Sequence, residues 1–131
     1  NVCHAKHVGL QLMTLKKDNF ELFKLITETA VRVKRLAVKS KGTILSEELL
    51  ENRIEQTIFF SLKELLHKAD HKQKDSMKHL TTLTKKLDRY FDSVLVMSDE
   101  LKLRDNRLAF LVHCDQFYMK VADFELIVLS Q

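Results

Sequence analysis

Apolar side chains recur every three or four residues along most of the chain, the spacing of one face of an α-helix. From His4 to Lys17 the pattern is weak, through Val8, Leu12 and Leu15, and predicts a short first helix. Asp18 with Glu21 three positions on has the form of a capping box and predicts a second helix from Asn19 to about Lys39. Its stripe is Leu22, Ile26, Ala30, Val33 and Ala37, widened by Leu25 and Leu36. Gly42 then predicts a left-handed C-cap. Ser46, followed by Glu47 and Glu48, predicts the N-cap of a third helix running to about Ala69. The third stripe is Leu50, Ile54, Ile58, Leu62, Leu65 and Ala69, and the opposite arc holds Arg53, Gln56, Lys63, Glu64 and His67. Phe60 falls on that polar arc, where it is either a single exposed aromatic or a contact to another domain.

Asp70 to Asp75 is the most polar stretch and predicts a connector. A fourth helix, about Ser76 to Tyr90, points Met77, Leu80, Leu83 and Leu87 inward. Val94 to Met97 is a short apolar run with nothing nearby to pair with as a strand. It predicts a tightly packed segment before a last helix from Asp99 to about Ala122. Leu108, Phe110, Leu111, Val112, Phe117, Tyr118 and Met119 cover most of that helix's circumference. Only an arc near Ala109, His113, Gln116 and Lys120 stays polar, which predicts a central position in a bundle. The expected architecture is all-α, one bundle of about five helices over residues 1–131, with no internal repeat and no second domain.

Composition narrows the alternatives. With 45% hydrophobic and 31% charged residues in 131, the chain carries enough apolar material for a core, which excludes wholesale disorder. No proline and two isolated glycines argue against a sandwich or barrel, and exclude a glycine-rich phosphate loop or dinucleotide fingerprint. The formal charge of +4 favours RNA, DNA or anionic lipid as a partner. Two cysteines make no disulfide framework, which points to a reducing, cytoplasmic setting. No apolar run approaches the roughly 20 residues of a membrane span. The start, Asn1-Val2-Cys3-His4, is neither a signal peptide nor an initiator methionine, so a piece of a larger protein is expected.

The charge is concentrated. Arg32, Lys34, Arg35, Lys39 and Lys41 place five cations within ten residues, with no acid among them. Arg32, Arg35 and Lys39 are neighbours on a helix surface. Clustered cations of this kind neutralise phosphates with release of counterions, although a solvated helix face has the same pattern. Other constellations are weaker. His67 and His71 have metal-ligand spacing but are flanked by Lys68 and Lys72, and Cys3, His4 and His7 form no better set. His113 and Cys114 diverge on a helix, so Cys114 reads as a small core residue. Met13, Met77, Met97 and Met119 read as core fillers, and Asp88, Asp92, Asp99 and Asp105 as caps and surface ion pairs. No catalytic constellation emerges, which leaves an RNA-binding helical module or a protein-interaction bundle.

The last third of the chain is more specific. Asp88-Arg89-Tyr90-Phe91-Asp92-Ser93-Val94-Leu95-Val96-Met97 is followed by Arg104-Asp105-Asn106-Arg107-Leu108-Ala109-Phe110-Leu111 and then Val121-Ala122-Asp123-Phe124. This order resembles the end of the beta subunit of bacterial-type glycyl-tRNA synthetases. That family has an aromatic pair, Asp and a Val-Met-Val-Met-like run, then Arg-x-Asn-Arg-Leu and a terminal Ala-Asp. Tyr90 and Leu95 replace a commoner Phe and Met, and Lys86 and Leu87 stand where the family has a proline. Val33-Lys34-Arg35-Leu36 resembles a Lys-Arg-Val or Lys-Arg-Ile segment of the same family.

The resemblance implies a helical anticodon-binding domain, similar to that of arginyl-tRNA synthetase, at the C-terminal end of a larger synthetase chain. It implies the anticodon stem-loop of a glycine tRNA as partner; Arg32, Arg35, Lys39 and Lys41 would hold phosphates, with Lys34 a further tRNA-binding candidate. Arg89, Tyr90, Arg104, Asn106 and Arg107 would lie near bases or backbone. Asn106 and Arg107 have an equally good structural reading, as braces for the loop after Asp92, and Tyr90 and Phe91 read better as core than as stacking platforms. No catalytic residue, metal or cofactor is expected in this domain. ATP and Mg would belong to the parent ligase, whose active site lies in the alpha subunit or an alpha-like region. The competing expectation is a helical module that docks on the rest of the synthetase through Phe60 and the first helix, without reading bases.

Overall fold

The computed structural model describes residues 11–42, 45–50, 53–71 and 76–121. Helix α1 covers residues 11–18, α2 Phe20–Ala37, α3 Arg53–His71, α4 Ser76–Ser93 and α5 Leu101–Val121, with one 3-10 turn at Glu47–Leu49. There is no strand among the described residues, as an all-α bundle requires. Helix α2 packs on α5 and α4, α3 packs on α4, and the 3-10 turn touches α5.

The stripes build the core as expected. Ile26, Ala30, Val33 and Ala37 of α2, Ile58, Leu62 and Leu65 of α3, and Leu80, Leu83 and Leu87 of α4 are all buried. Leu12 of α1 is fully buried, and Phe23 and Phe59 join the core from positions beside their stripes. Helix α5 is buried on most sides, through Leu103, Leu108, Phe110, Leu111, Cys114, Phe117 and Tyr118, and is the central helix. Four rings run in series through this core. Phe59 meets Phe110 at 5.8 Å, Phe110 meets Tyr90 at 5.3 Å, and Tyr90 meets Phe91 at 5.7 Å, edge-on or tilted as aromatic pairs prefer. The line joins α3, α5 and α4.

Four boundaries differ from expectation. The cap of α2 is Asn19, whose side chain accepts from the Leu22 amide at 3.2 Å. Asp18 still belongs to α1, because the Asn19 amide continues the helical ladder to the Leu15 carbonyl at 2.7 Å. A residue with helical backbone cannot cap, and Glu21 therefore falls one position short of a capping box. Helix α2 ends at Ala37 in tight turns, Lys39 to Leu36 and Ser40 to Ala37, both 3.0 Å. Gly42 has no positive φ and is not a left-handed cap; its amide and carbonyl both bond the Ser40 hydroxyl. Ser46 starts only the 3-10 turn and makes no side-chain cap bond, so α3 begins at Arg53. Helix α4 runs to Ser93, three residues past its expected end.

The segment between α4 and α5 is irregular, and its side chains alternate. Val94 and Val96 are buried, while Leu95 and Met97 are exposed. Met13 and Met119 are also exposed and Met77 is half-buried, so the methionines are mostly surface residues rather than core fillers.

Candidate functional site

The cations expected to act together divide between two flanks of α2. Arg32 and Arg35 face one side, where they line a groove of about 780 Å³ between α2 and residues 94–97. Lys34 lies on the other flank and favours the ionised form of Asp115 on α5, whose pKa burial nevertheless raises. Lys39 and Lys41 are exposed beyond the end of α2. Lys41 borders a shallower cleft of about 390 Å³ with Lys102, a cation that sequence reasoning passed over.

The groove has a built wall. The Arg32 guanidinium lies 4.1 Å from the centre of the Phe91 ring, a stacked cation–π arrangement. Phe91 is held from behind by the Tyr90 ring. Phe23, Val94 and Val96 form the floor, and Phe20, Leu95 and Met97 stand exposed at the edge. Lys24, Arg32 and Arg35 line it against a single acid, Glu28. Among the described residues no carboxylate forms a salt bridge with Arg32 or Arg35.

The remaining candidates separate by burial. Arg89 is exposed and shares a cleft of about 560 Å³ with Arg53, Thr57, Asp92 and Ser93, where α4 faces the start of α3. Arg104 is half-buried. Tyr90, Asn106 and Arg107 lie inside the fold. Asn106 clamps the backbone of Ser46: its Oδ1 accepts from the Ser46 amide at 2.6 Å and its Nδ2 donates to the Ser46 carbonyl at 3.0 Å. Arg107 forms a two-pronged pair with Glu55 of α3, Nε to Oε1 at 3.0 Å and Nη2 to Oε2 at 3.2 Å. Its third nitrogen, Nη1, donates to the Leu95 carbonyl at 2.8 Å. Arg107 thus braces the loop after Asp92, at Leu95, whereas Asn106 braces the connection at Ser46 instead.

Among the described residues the buried thiol and phenols are not poised as nucleophiles. Burial, and then the charge of Asp115, push the Cys114 thiol far above its ordinary range, where it is inert. The Tyr118 phenol is raised by burial, against the opposing hydrogen bond with Thr84 at 2.7 Å. Among the described residues no three His, Cys, Asp or Glu side chains converge on a metal position, and no helix is long and apolar enough to cross a membrane. The side chain of His71, and Cys3, His4 and His7, lie outside the described residues.

The sequence is similar to one part of several curated proteins. The chain is 33% identical over 101 residues to the glycine–tRNA ligase beta subunit of Natranaerobius thermophilus, covering 73% of this chain and 15% of that one. It is 35% identical over 127 residues to the beta subunit from Shouchella clausii, 92% of this chain and 18% of that protein. The beta subunit of Aquifex aeolicus is 30% identical over 110 residues, 83% of this chain and 16% of its own. The chain thus spans less than a fifth of the length of these relatives. No family model and no solved structure matches it.

Proposed function

The chain is homologous to one segment of the glycine–tRNA ligase beta subunit, and from that kinship we propose that it is the RNA-gripping helical domain at the C-terminal end of such a subunit. Its ligand is the anticodon stem-loop of a glycine tRNA. Glycine activation, with ATP and Mg, belongs to the remainder of the synthetase, to which this domain is tethered in the cytoplasm. The observation that carries the reading is the cationic flank of α2. Arg32 and Arg35 are exposed three residues apart on α2, and Lys39 and Lys41 are exposed just beyond its end, with no acid between residues 32 and 41.

Exposed cations in a row neutralise successive phosphates, and each contact releases counterions, so affinity falls with salt. Arg35→Ala and Lys39→Ala should each weaken binding across all RNA sequences and lower the salt slope by about 1. Base readout is tested by comparing a glycine tRNA with an anticodon-swapped version at moderate salt. Equal binding to both would sink anticodon recognition and leave a phosphate-gripping module.

One observation favours a second reading. Phe60 is 54% exposed on α3, against the Phe59 ring at 5.6 Å, and is a natural docking contact for the rest of the synthetase. If Phe60→Ser leaves subunit assembly and aminoacylation unchanged, that contact is not made.

A further inference from the structure

The end of α4 and the start of α3 carry the same pair of side chains at the same spacing. Arg53 on α3 is followed one turn on by Thr57, and Arg89 on α4 by Ser93. A spacing of four puts the members of each pair on one face of their helix. Helices α3 and α4 pack on one another, and all four residues are exposed and line one cleft of about 560 Å³. Ile58, which is buried, forms its floor. Among the described residues, Asp92 is the one acid in its lining. No hydrogen bond or salt bridge joins either guanidinium to another described residue, Asp92 included.

Two arginines that share a cleft repel one another, and one carboxylate offsets only one of them. The surplus positive charge favours an anion. Guanidinium forks and hydroxyls are the donors that a tetrahedral oxyanion takes, and arginine meets phosphate through two parallel bonds. We propose that this cleft at the mouth of the α3–α4 hairpin is a phosphate-binding site, separate from the cationic row of α2. Arg53 and Arg89 share one phosphate, and Thr57 and Ser93 donate to its remaining oxygens. The cleft is larger than one phosphate needs, which leaves room for its ester groups. Two sources present this chemistry: a backbone phosphate of bound RNA, which rests on the RNA-binding function proposed above, and free inorganic phosphate, which does not.

The test has two arms on the 131-residue chain. In the first, the chain is melted in inorganic phosphate and in chloride at equal ionic strength and neutral pH. Phosphate should raise the Tm saturably, because a ligand of the folded state stabilises it. A general salting effect of phosphate would survive substitution. The double variant Arg53→Ala, Arg89→Ala should lose the saturable rise, and both side chains are exposed, so neither change opens the core. Asp92→Asn should lower the half-saturating concentration, since it removes a like charge. Lys17→Ala, exposed on α1 outside the cleft, should keep the rise. In the second arm, binding of a glycine-tRNA anticodon stem-loop is measured against salt. If the RNA backbone fills the site, the double variant lowers the salt slope by about 1 rather than about 2, because the slope counts phosphates and not arginines. A slope lowered by about 1 assigns the site to the RNA backbone, with or without the rise. An arginine-dependent rise with an unchanged slope assigns it to free phosphate. A slope lowered by about 2 overturns the shared phosphate. An unchanged slope with no arginine-dependent rise overturns the site and leaves the row on α2 standing. If the unaltered chain binds no RNA, the proposed function fails, and the melting arm alone decides the site.

Discussion

Removal of the Arg107 guanidinium is the sharpest test of how the fold supports the groove. Arg107 is 6% exposed and Glu55 1%, so Arg107→Met leaves the Glu55 carboxylate inside the core without the guanidinium. It also strips the Leu95 carbonyl of a donor held at 2.8 Å. Breaking a buried pair from one side costs about 3–5 kcal/mol, because the surviving charge stays desolvated. Against a total stability of ~5–15 kcal/mol this is a large fraction. At ~4 °C per kcal/mol for a chain of this size, the Tm should fall by about 12–20 °C. Urea unfolding followed by far-UV circular dichroism gives the free energy directly, with an unchanged m-value as the check on two-state behaviour. Glu55→Leu should cost a similar amount. The double variant Glu55→Leu, Arg107→Met should cost less than the sum by at least about 2 kcal/mol, since it leaves neither charge buried. A loss below about 1 kcal/mol for Arg107→Met, or strict additivity in the double variant, would refute the buried pair as a working contact.

Three further outcomes follow from particular contacts. Asn106→Ala removes both bonds to the Ser46 backbone and should destabilise by about 1–3 kcal/mol in the same urea assay. Asn106→Asp keeps one acceptor but loses the donor to the Ser46 carbonyl, and should recover only part of that loss. Stability should fall at alkaline pH. Cys114, Tyr90 and Tyr118 are all held neutral by burial, with raised pKa values. Their contribution is therefore whole below the unfolded thiol and phenol pKa values, about 8.5 and 10, and is lost as pH rises beyond them. A urea midpoint no lower well above the unfolded phenol pKa than at neutral pH would contradict the burial of these groups. Native Cys114 should resist a thiol reagent that labels the urea-unfolded chain at once.

Most of the fold was legible because it rests on local periodicity. The stripes of α2, α3 and α4 bury Ile26, Ala30, Val33, Ala37, Ile58, Leu62, Leu65, Leu80, Leu83 and Leu87, with Leu22 and Met77 half-buried at their starts, and the nearly uniform apolar circumference of α5 marks the central helix. What failed was decided at a distance. Ser46 looks like a helix cap from its neighbours Glu47 and Glu48, yet its backbone is taken by Asn106, sixty residues away. No sequence pattern marks Glu55, which lies fully inside and is paired with Arg107, 52 residues on. Gly42 and Asp18 carry the right residue types at the wrong register. The chain closes α2 with tight turns before it reaches the glycine, and continues α1 through the aspartate. The alternation of residues 94–97 was present in the sequence as an apolar run. That two of its four side chains face outward depends on where the Arg107 bond pins the backbone.

The same distinction bears on the candidate site. The motif that gave the chain its resemblance, around Tyr90, Asn106 and Arg107, is largely buried, while the exposed cations on α2 carry a weaker sequence signal. Tyr90 backs Phe91, on which Arg32 stacks, and Arg107 sets the carbonyl of Leu95 at the groove's edge. On the proposed RNA-binding function, these residues act through the wall they hold rather than by contact. Substitutions in the two groups should therefore differ in kind. Arg32→Ala should weaken RNA binding with almost no loss of folding stability, because an exposed cation–π contact contributes only about 0.5–1 kcal/mol. Arg107→Lys should lower both together, since an ammonium cannot reproduce the two-pronged grip on Glu55 and the third bond to Leu95. An Arg107→Lys chain with full stability and impaired RNA binding would mean that the guanidinium reaches the ligand directly, which its present geometry does not allow.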